Sequence, residues 1–77
     1  MLEIAAKILK IAEEGERKTH IVYMANLNHR YLKDLLDKLE EKGLIINGEH
    51  ENEVKTTDKG LKFIQYYSNL QYFFDDE

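Results

Sequence analysis

With 77 residues, the chain is limited to one domain, 1–77, whose thin core hides only about 60–65% of the unfolded surface. Hydrophobic residues make up 43% and charged residues 34%, too apolar for a disordered chain and too charged for a membrane span. The absence of cysteine excludes disulfides, thiolate metal sites and cysteine nucleophiles, and a net charge of −4 argues against indiscriminate coating of nucleic acid.

Taken in chain order, Ile4, Ala5, Ile8, Leu9, Ile11 and Ala12 recur at helical spacing and predict an amphipathic helix over 2–14 that stops at Gly15. Thr19 is the expected cap of a short helix over 20–25, with Ile21, Val22 and Ala25 facing inward, followed by a tight turn at Ala25-Asn26-Leu27. Asn28 is a good N-cap, because its side-chain oxygen can accept an orphan backbone N–H. Leu32, Leu35, Leu36 and Leu39 then follow at i, i+3, i+4 and i+7, predicting a helix over 29–42 that ends at Gly43. Leu44-Ile45-Ile46 and Glu53-Val54-Lys55-Thr56 predict two short strands around a polar tip, Gly48 to Asn52. Thr57 or Asp58 caps a last helix over 58–74. The order is α-α-α-β-β-α, mainly α with a small β-hairpin. Two helices joined by a tight turn and followed by a hairpin form the winged helix-turn-helix pattern.

Residues 18–45, KTHIVYMANLNHRYLKDLLDKLEEKGLI, with TTDKGLKFI at 56–64, resemble the archaeal winged helix-turn-helix proteins of about ten kilodaltons. The shared features are the Lys-Thr-x-Ile opening of the second helix, the Ala-Asn-Leu turn, the leucine-rich third helix ending in Glu-Lys-Gly-Leu-Ile, and the Thr-x-Lys-Gly start of the last helix. The resemblance covers about residues 2–70. It implies a DNA-binding regulator or chromatin-associated protein, paired as a homodimer through an antiparallel coiled coil of the last helices. By position, it makes Asn28 to Lys33 the DNA-facing start of the recognition helix.

The charge distribution agrees with that expectation in one place only. Residues 17–42 are net +2, whereas 1–16, 43–60 and 61–77 are each net −2. Helix-turn-helix proteins touch bases mainly with the N-terminal part of the recognition helix. Here that part holds Asn28, His29, Arg30, Tyr31 and Lys33 and no acid. Arg30 can reach guanine bidentately, Lys33 a base or a phosphate, and Asn28 a phosphate. Arg17 and Lys18, just before the second helix, are candidate phosphate contacts. Asp34, Asp37 and Glu41 follow on the same helix, so the competing reading is a solvated surface laced by i,i+4 pairs, Arg30 with Asp34 and Lys33 with Asp37. Four to six phosphate contacts per subunit correspond to a log–log salt slope of roughly −4 to −5 per subunit. Glu49, Glu51 and Glu53 at the hairpin tip repel phosphates and predict a wing that stands off the groove.

In the last helix Phe63, Tyr67, Leu70 and Phe74 follow a four-three-four seam of the coiled-coil kind. With Tyr66 and Phe73 they form more apolar surface than one small core covers, which predicts a homodimer interface on a dimerisation helix, 58–74.

Catalytic and metal-binding patterns are missing. His20, His29 and His50 form no ligand pair, Glu49-His50-Glu51 reads as a solvated turn, and Ser68 is the only serine. Glu13-Glu14 and Glu40-Glu41 read as helix termini. The sequence therefore predicts no enzyme, no metal and no cofactor. No leader or transmembrane run stands out, so a cytoplasmic location is expected. The leading function is a dimeric DNA-binding transcriptional regulator with double-stranded DNA as partner. The alternative is a winged helix serving as a protein-interaction module.

Overall fold

A computed structural model describes residues 2–75. Met1, Asp76 and Glu77, the ends of the expected 1–77 domain, lie outside the described residues. The elements are α1 (Leu2–Ile11), β1 (Glu16–Arg17), α2 (Lys18–Ala25), α3 (His29–Glu41), β2 (Ile45–Asn47), β3 (Glu53–Thr56) and α4 (Asp58–Asp75). The architecture is the expected mainly helical winged helix-turn-helix, with one strand more than the sequence predicted. The sheet is antiparallel in the order β1-β3-β2, so the wing's second strand lies in the middle. Glu16 pairs with Val54 and Arg17 with Glu53 on one side, and Ile45 pairs with Thr56 on the other.

The core is built where the periodicity places it. Leu32, Leu35, Leu36 and Leu39 of α3 are all buried, against Ile8 and Leu9 of α1, Ile21 of α2, Ile45 of β2 and Val54 of β3. Each buried leucine stabilises the fold by about 1.5–3 kcal/mol relative to an exposed one. Burial of this stripe leaves the opposite side of α3 facing solvent.

Two boundaries differ from the sequence expectation by more than one residue. The first helix ends at Ile11 rather than 14, because its last carbonyls are diverted to the sheet. The buried Thr56 hydroxyl donates to the Leu9 carbonyl at 2.6 Å, and the Thr56 N–H donates to the Ala12 carbonyl at 3.0 Å. The second helix begins at Lys18, with Arg17 in extended conformation at the N-cap and no side-chain cap. Thr19 is therefore inside the first turn rather than its cap. The helix starts early because the Lys18 N–H is held by the Asn52 carbonyl at 2.8 Å, which prolongs the β1–β3 pairing into the wing tip.

The end of α3 and the start of α4 are tied together. Thr57 is the N-cap of α4: its Oγ1 accepts the Gly60 N–H at 3.1 Å and donates to the Gly43 carbonyl at 2.7 Å. The Lys59 Nζ donates to the Lys42 carbonyl at 2.7 Å. Orphan carbonyls that end α3 are thus satisfied by α4. Gly43 itself has φ +78, the left-handed conformation that glycine adopts most cheaply after a helix. Gly60 is required for a different reason: a Cβ there would collide with the Leu44 carbonyl oxygen and the Thr56 methyl.

Candidate nucleic-acid interface

The α2-α3 turn positions the reading end of α3. Asn26 takes the left-handed conformation at φ 56 and closes α2 through its N–H to the Val22 carbonyl. Two residues later Asn28 caps α3, its Oδ1 accepting the N–H groups of Arg30 at 2.8 Å and Tyr31 at 3.2 Å. That oxygen is committed to the helix, so only the amide NH₂ of Asn28 remains for a phosphate. The cap fixes where the first turn points: Asn28, His29, Arg30, Tyr31 and Lys33 are all exposed, while Leu32 between them is sealed in the core.

The charges of α3 leave its N-terminal turn without an acid. A helix is stabilised by acids in its first turn and cations in its last, each by about 0.3–1 kcal/mol. In α3 the first turn has no acid, and the last turn mixes Glu40 and Glu41 with Lys38, followed by Lys42 at the C-cap. The i,i+4 pairs of the competing reading do not form: among the described residues no acid lies within 4.0 Å of Arg30 or Lys33, and the one ion pair is His20 with Glu16. Arg30 and Lys33 are therefore not held in ion pairs, while Asp34, Asp37, Glu40 and Glu41 line the surface further along, Asp37 also facing the groove of Lys33.

The fold sorts the other two expected cations. A cavity of about 260 Å³ between α2, α3 and the wing tip is lined by Lys18, Thr19, His29, Lys33, Asp37 and Asn52 among others. It brings Lys18, distant in sequence, beside the His29 and Lys33 of α3. Thr19 and Asn52 belong to this groove and were not expected as site residues. Their only sequence signal was turn and cap chemistry. Arg17 is set apart. It stands opposite Glu53 in the sheet register and shares a surface hollow with Glu16, His20 and Glu53. Glu16 accepts from His20 Nδ1 at 3.0 Å and from the Arg17 N–H at 3.0 Å. The His20 hydrogen bond, reinforced by the Arg17 N–H, holds the Glu16 carboxyl below its ordinary value. Arg17 thus shares its hollow with two acidic residues, although its guanidinium forms no ion pair with either.

The wing is less uniformly acidic at its tip than its sequence. Glu53 is half-buried and folds back, accepting the His50 N–H at 3.0 Å to hold the turn. Glu49 and Glu51 are the exposed tip acids. No group of three or more potential metal ligands comes together among the described residues. No described helix is long and apolar enough to cross a membrane.

The residues expected at a dimer interface divide in two. Phe63 packs against the chain's own core, and Tyr67 is half-buried beside α1. Tyr66, Leu70, Phe73 and Phe74 are exposed.

A helix-turn-helix whose second helix is capped and solvent-facing, followed by a β-hairpin wing, defines a winged helix-turn-helix domain, a class that typically binds DNA and is not enzymatic. The sequence pattern of the winged helix-turn-helix family matches residues 1–74, and the chain belongs to that family. No curated protein matches the chain.

Proposed function

We propose that the protein is a DNA-binding transcriptional regulator that works as a homodimer, with the N-terminal turn of α3 in the major groove. The observation that carries this reading is the capped, acid-free first turn of α3, where Arg30 and the following Lys33 are exposed and form no ion pair. Lys18, gathered into the same groove, takes a phosphate. Arg17, between Glu16 and Glu53, contributes little. His29 and Tyr31 flank the contact, and Asn28 acts first as the cap. The wing stands off the duplex, because Glu49 and Glu51 are exposed at its tip. Occupation of a site is the simplest mode of regulation.

Pairing through the dimerisation helix is supported by the exposed Tyr66, Leu70, Phe73 and Phe74 on α4. Two-fold symmetry then presents two α3 helices to half-sites about 34 Å apart, or a multiple of it. Selection from random duplexes at low and moderate salt tests the reading. Arg30→Ala is expected to relax sequence preference, and Lys18→Ala to weaken all sequences alike. Absence of any duplex binding at low salt would refute it. That outcome would favour a protein-interaction module, for which the exposed tip acids and the aromatic end of α4 provide surfaces.

A further inference from the structure

The outer face of α3 carries an acid that phosphate binding does not explain. At about 100° per residue, the side opposite the buried Leu32, Leu35, Leu36 and Leu39 holds Arg30 and Asp34 one turn apart, both exposed. Asp34 is the first acid along the helix. Among the described residues Arg30 and Asp34 form no ion pair, with each other or with any other side chain. Neither charge is consumed within the fold.

A carboxylate on a face that enters the major groove selects more than it binds. It repels phosphates, and when ionised it only accepts hydrogen bonds. Guanine presents acceptors there at N7 and O6, and thymine presents O4 and a methyl group, so both edges refuse it. Adenine sets its N6 donor beside the N7 acceptor. Cytosine presents a donor, the N4 amino group, with no acceptor of its own beside it. Arg30 has the opposite requirement: its guanidinium only donates, and it suits guanine O6 and N7. Four residues of helix rise about 6 Å and successive bases lie about 3.4 Å apart, so the two side chains span about two base-pair steps.

Asp37 supplies an internal contrast. It lies two turns past Arg30 and lines the α2–α3 groove with Lys18 and Lys33. It therefore neighbours the cations assigned to phosphate. Asp34 does not line that groove and stands on the outer surface of the helix.

We propose that Asp34 is a specificity-determining residue: it accepts the N4 amino group of a cytosine lying within about two base-pair steps of the guanine that Arg30 takes. This rests on the DNA-binding reading and adds to it a base, a position and a role for the acid. Asp34 lowers the affinity for every duplex, and lowers it least where cytosine offers its amino group. Discrimination by repulsion is thus added to the attraction that Arg30 supplies.

The test is selection from random duplexes at about 0.05 M salt, with the full chain and with Asp34→Asn, Asp34→Ala and Asp37→Asn, followed by fluorescence anisotropy on the selected duplex and on duplexes changed at single base pairs. Both positions are exposed, and circular dichroism checks that helix content is kept. Wild type is expected to select a cytosine near the guanine and to lose about five-fold or more in affinity when that pair is replaced. Asp34→Asn exchanges the carboxylate for an amide of the same shape and is expected to move the preference at that pair to adenine, whose N6 and N7 suit an amide. Asp34→Ala is expected to bind all duplexes more tightly and to lose the preference there. Asp37→Asn is expected to tighten all sequences alike and to leave the selected base unchanged. No duplex bound by wild type would overturn the DNA-binding reading and this assignment together. Duplex binding in which Asp34→Asn selects the same sequence as wild type would overturn the assignment alone. So would a variant that loses the guanine rather than the cytosine, since Asp34 would then only position the Arg30 guanidinium.

Discussion

Replacement of Thr57 by alanine should separate the two helices that the junction ties together. The Thr57 hydroxyl does two things at once. It accepts the Gly60 N–H at 3.1 Å as the N-cap of α4, and it donates to the Gly43 carbonyl at 2.7 Å at the end of α3. Loss of an N-cap costs about 1 kcal/mol, within a range of roughly 0.5–2. Loss of the second hydrogen bond costs about another 0.5–1.5 kcal/mol. The sum, about 2 kcal/mol, corresponds to a fall in Tm of roughly 8–16 °C for a chain of this size. Thr57→Ser keeps both hydrogen bonds and should cost less than about 0.5 kcal/mol. Thermal unfolding by circular dichroism measures both. The reasoning fails if alanine and serine are equally harmless, or if serine is as damaging as alanine. The junction matters beyond stability, because it joins the end of α3 to the start of α4.

Three other substitutions probe separate parts of the account. Gly60→Ala should destabilise by at least about 1–3 kcal/mol despite alanine's better helix propensity, because its Cβ meets the Leu44 carbonyl oxygen and the Thr56 methyl; a stabilised variant in urea unfolding would contradict this. Glu16 has a lowered pKa through its His20 hydrogen bond, so its contribution to stability is full above the ordinary carboxylate value of 4.5 and is lost as pH falls through the depressed folded value. Glu16→Gln should therefore be less stable than wild type at neutral pH, with the difference shrinking in acid; an unchanged difference down to about pH 2 would contradict the assignment. Glu49→Lys with Glu51→Lys should change duplex affinity less than about two-fold at physiological salt if the wing stands off, whereas a ten-fold tightening in fluorescence anisotropy would place the tip beside the backbone.

What the sequence discloses of this fold is mostly what is local. The leucine stripe of α3, the Asn28 cap, the tight turn around Asn26 and the wing strands each depend on a few neighbouring residues, and each is found within a residue of where its pattern lies. Of the two candidate caps for α4, the hydroxyl of Thr57 is the one in use. By contrast, β1 is two residues with no periodicity, and it exists only because β3 offers an edge 37 positions further on, as in the pairing of Glu16 with Val54. The early end of α1 has the same origin, since Thr56 draws off the carbonyls of Leu9 and Ala12. In the candidate site, the exposed residues of α3's first turn follow from the helix alone. The grouping of Lys18 with Lys33, and of Arg17 with Glu53, does not, because it depends on how α2 and the wing meet. The failure of Arg30 and Lys33 to pair with Asp34 and Asp37 is likewise invisible to spacing.

The central claim is that the free cations around the start of α3 neutralise DNA phosphates. Three cations are counted, Lys18 and Lys33 in the α2–α3 groove and Arg30 in the first turn of α3, because Arg17 lines a separate hollow with Glu16 and Glu53. At about −0.9 per phosphate, they predict a log–log salt slope of about −2.7 per subunit, or about −5 for the dimer, and Lys33→Ala should lower its magnitude by about 1 per subunit. The measurement is the affinity for a fixed duplex by fluorescence anisotropy across a series of salt concentrations. A slope near −5 that Lys33→Ala flattens is the expected result. A slope near zero, or one that the substitution leaves unchanged, would contradict the claim.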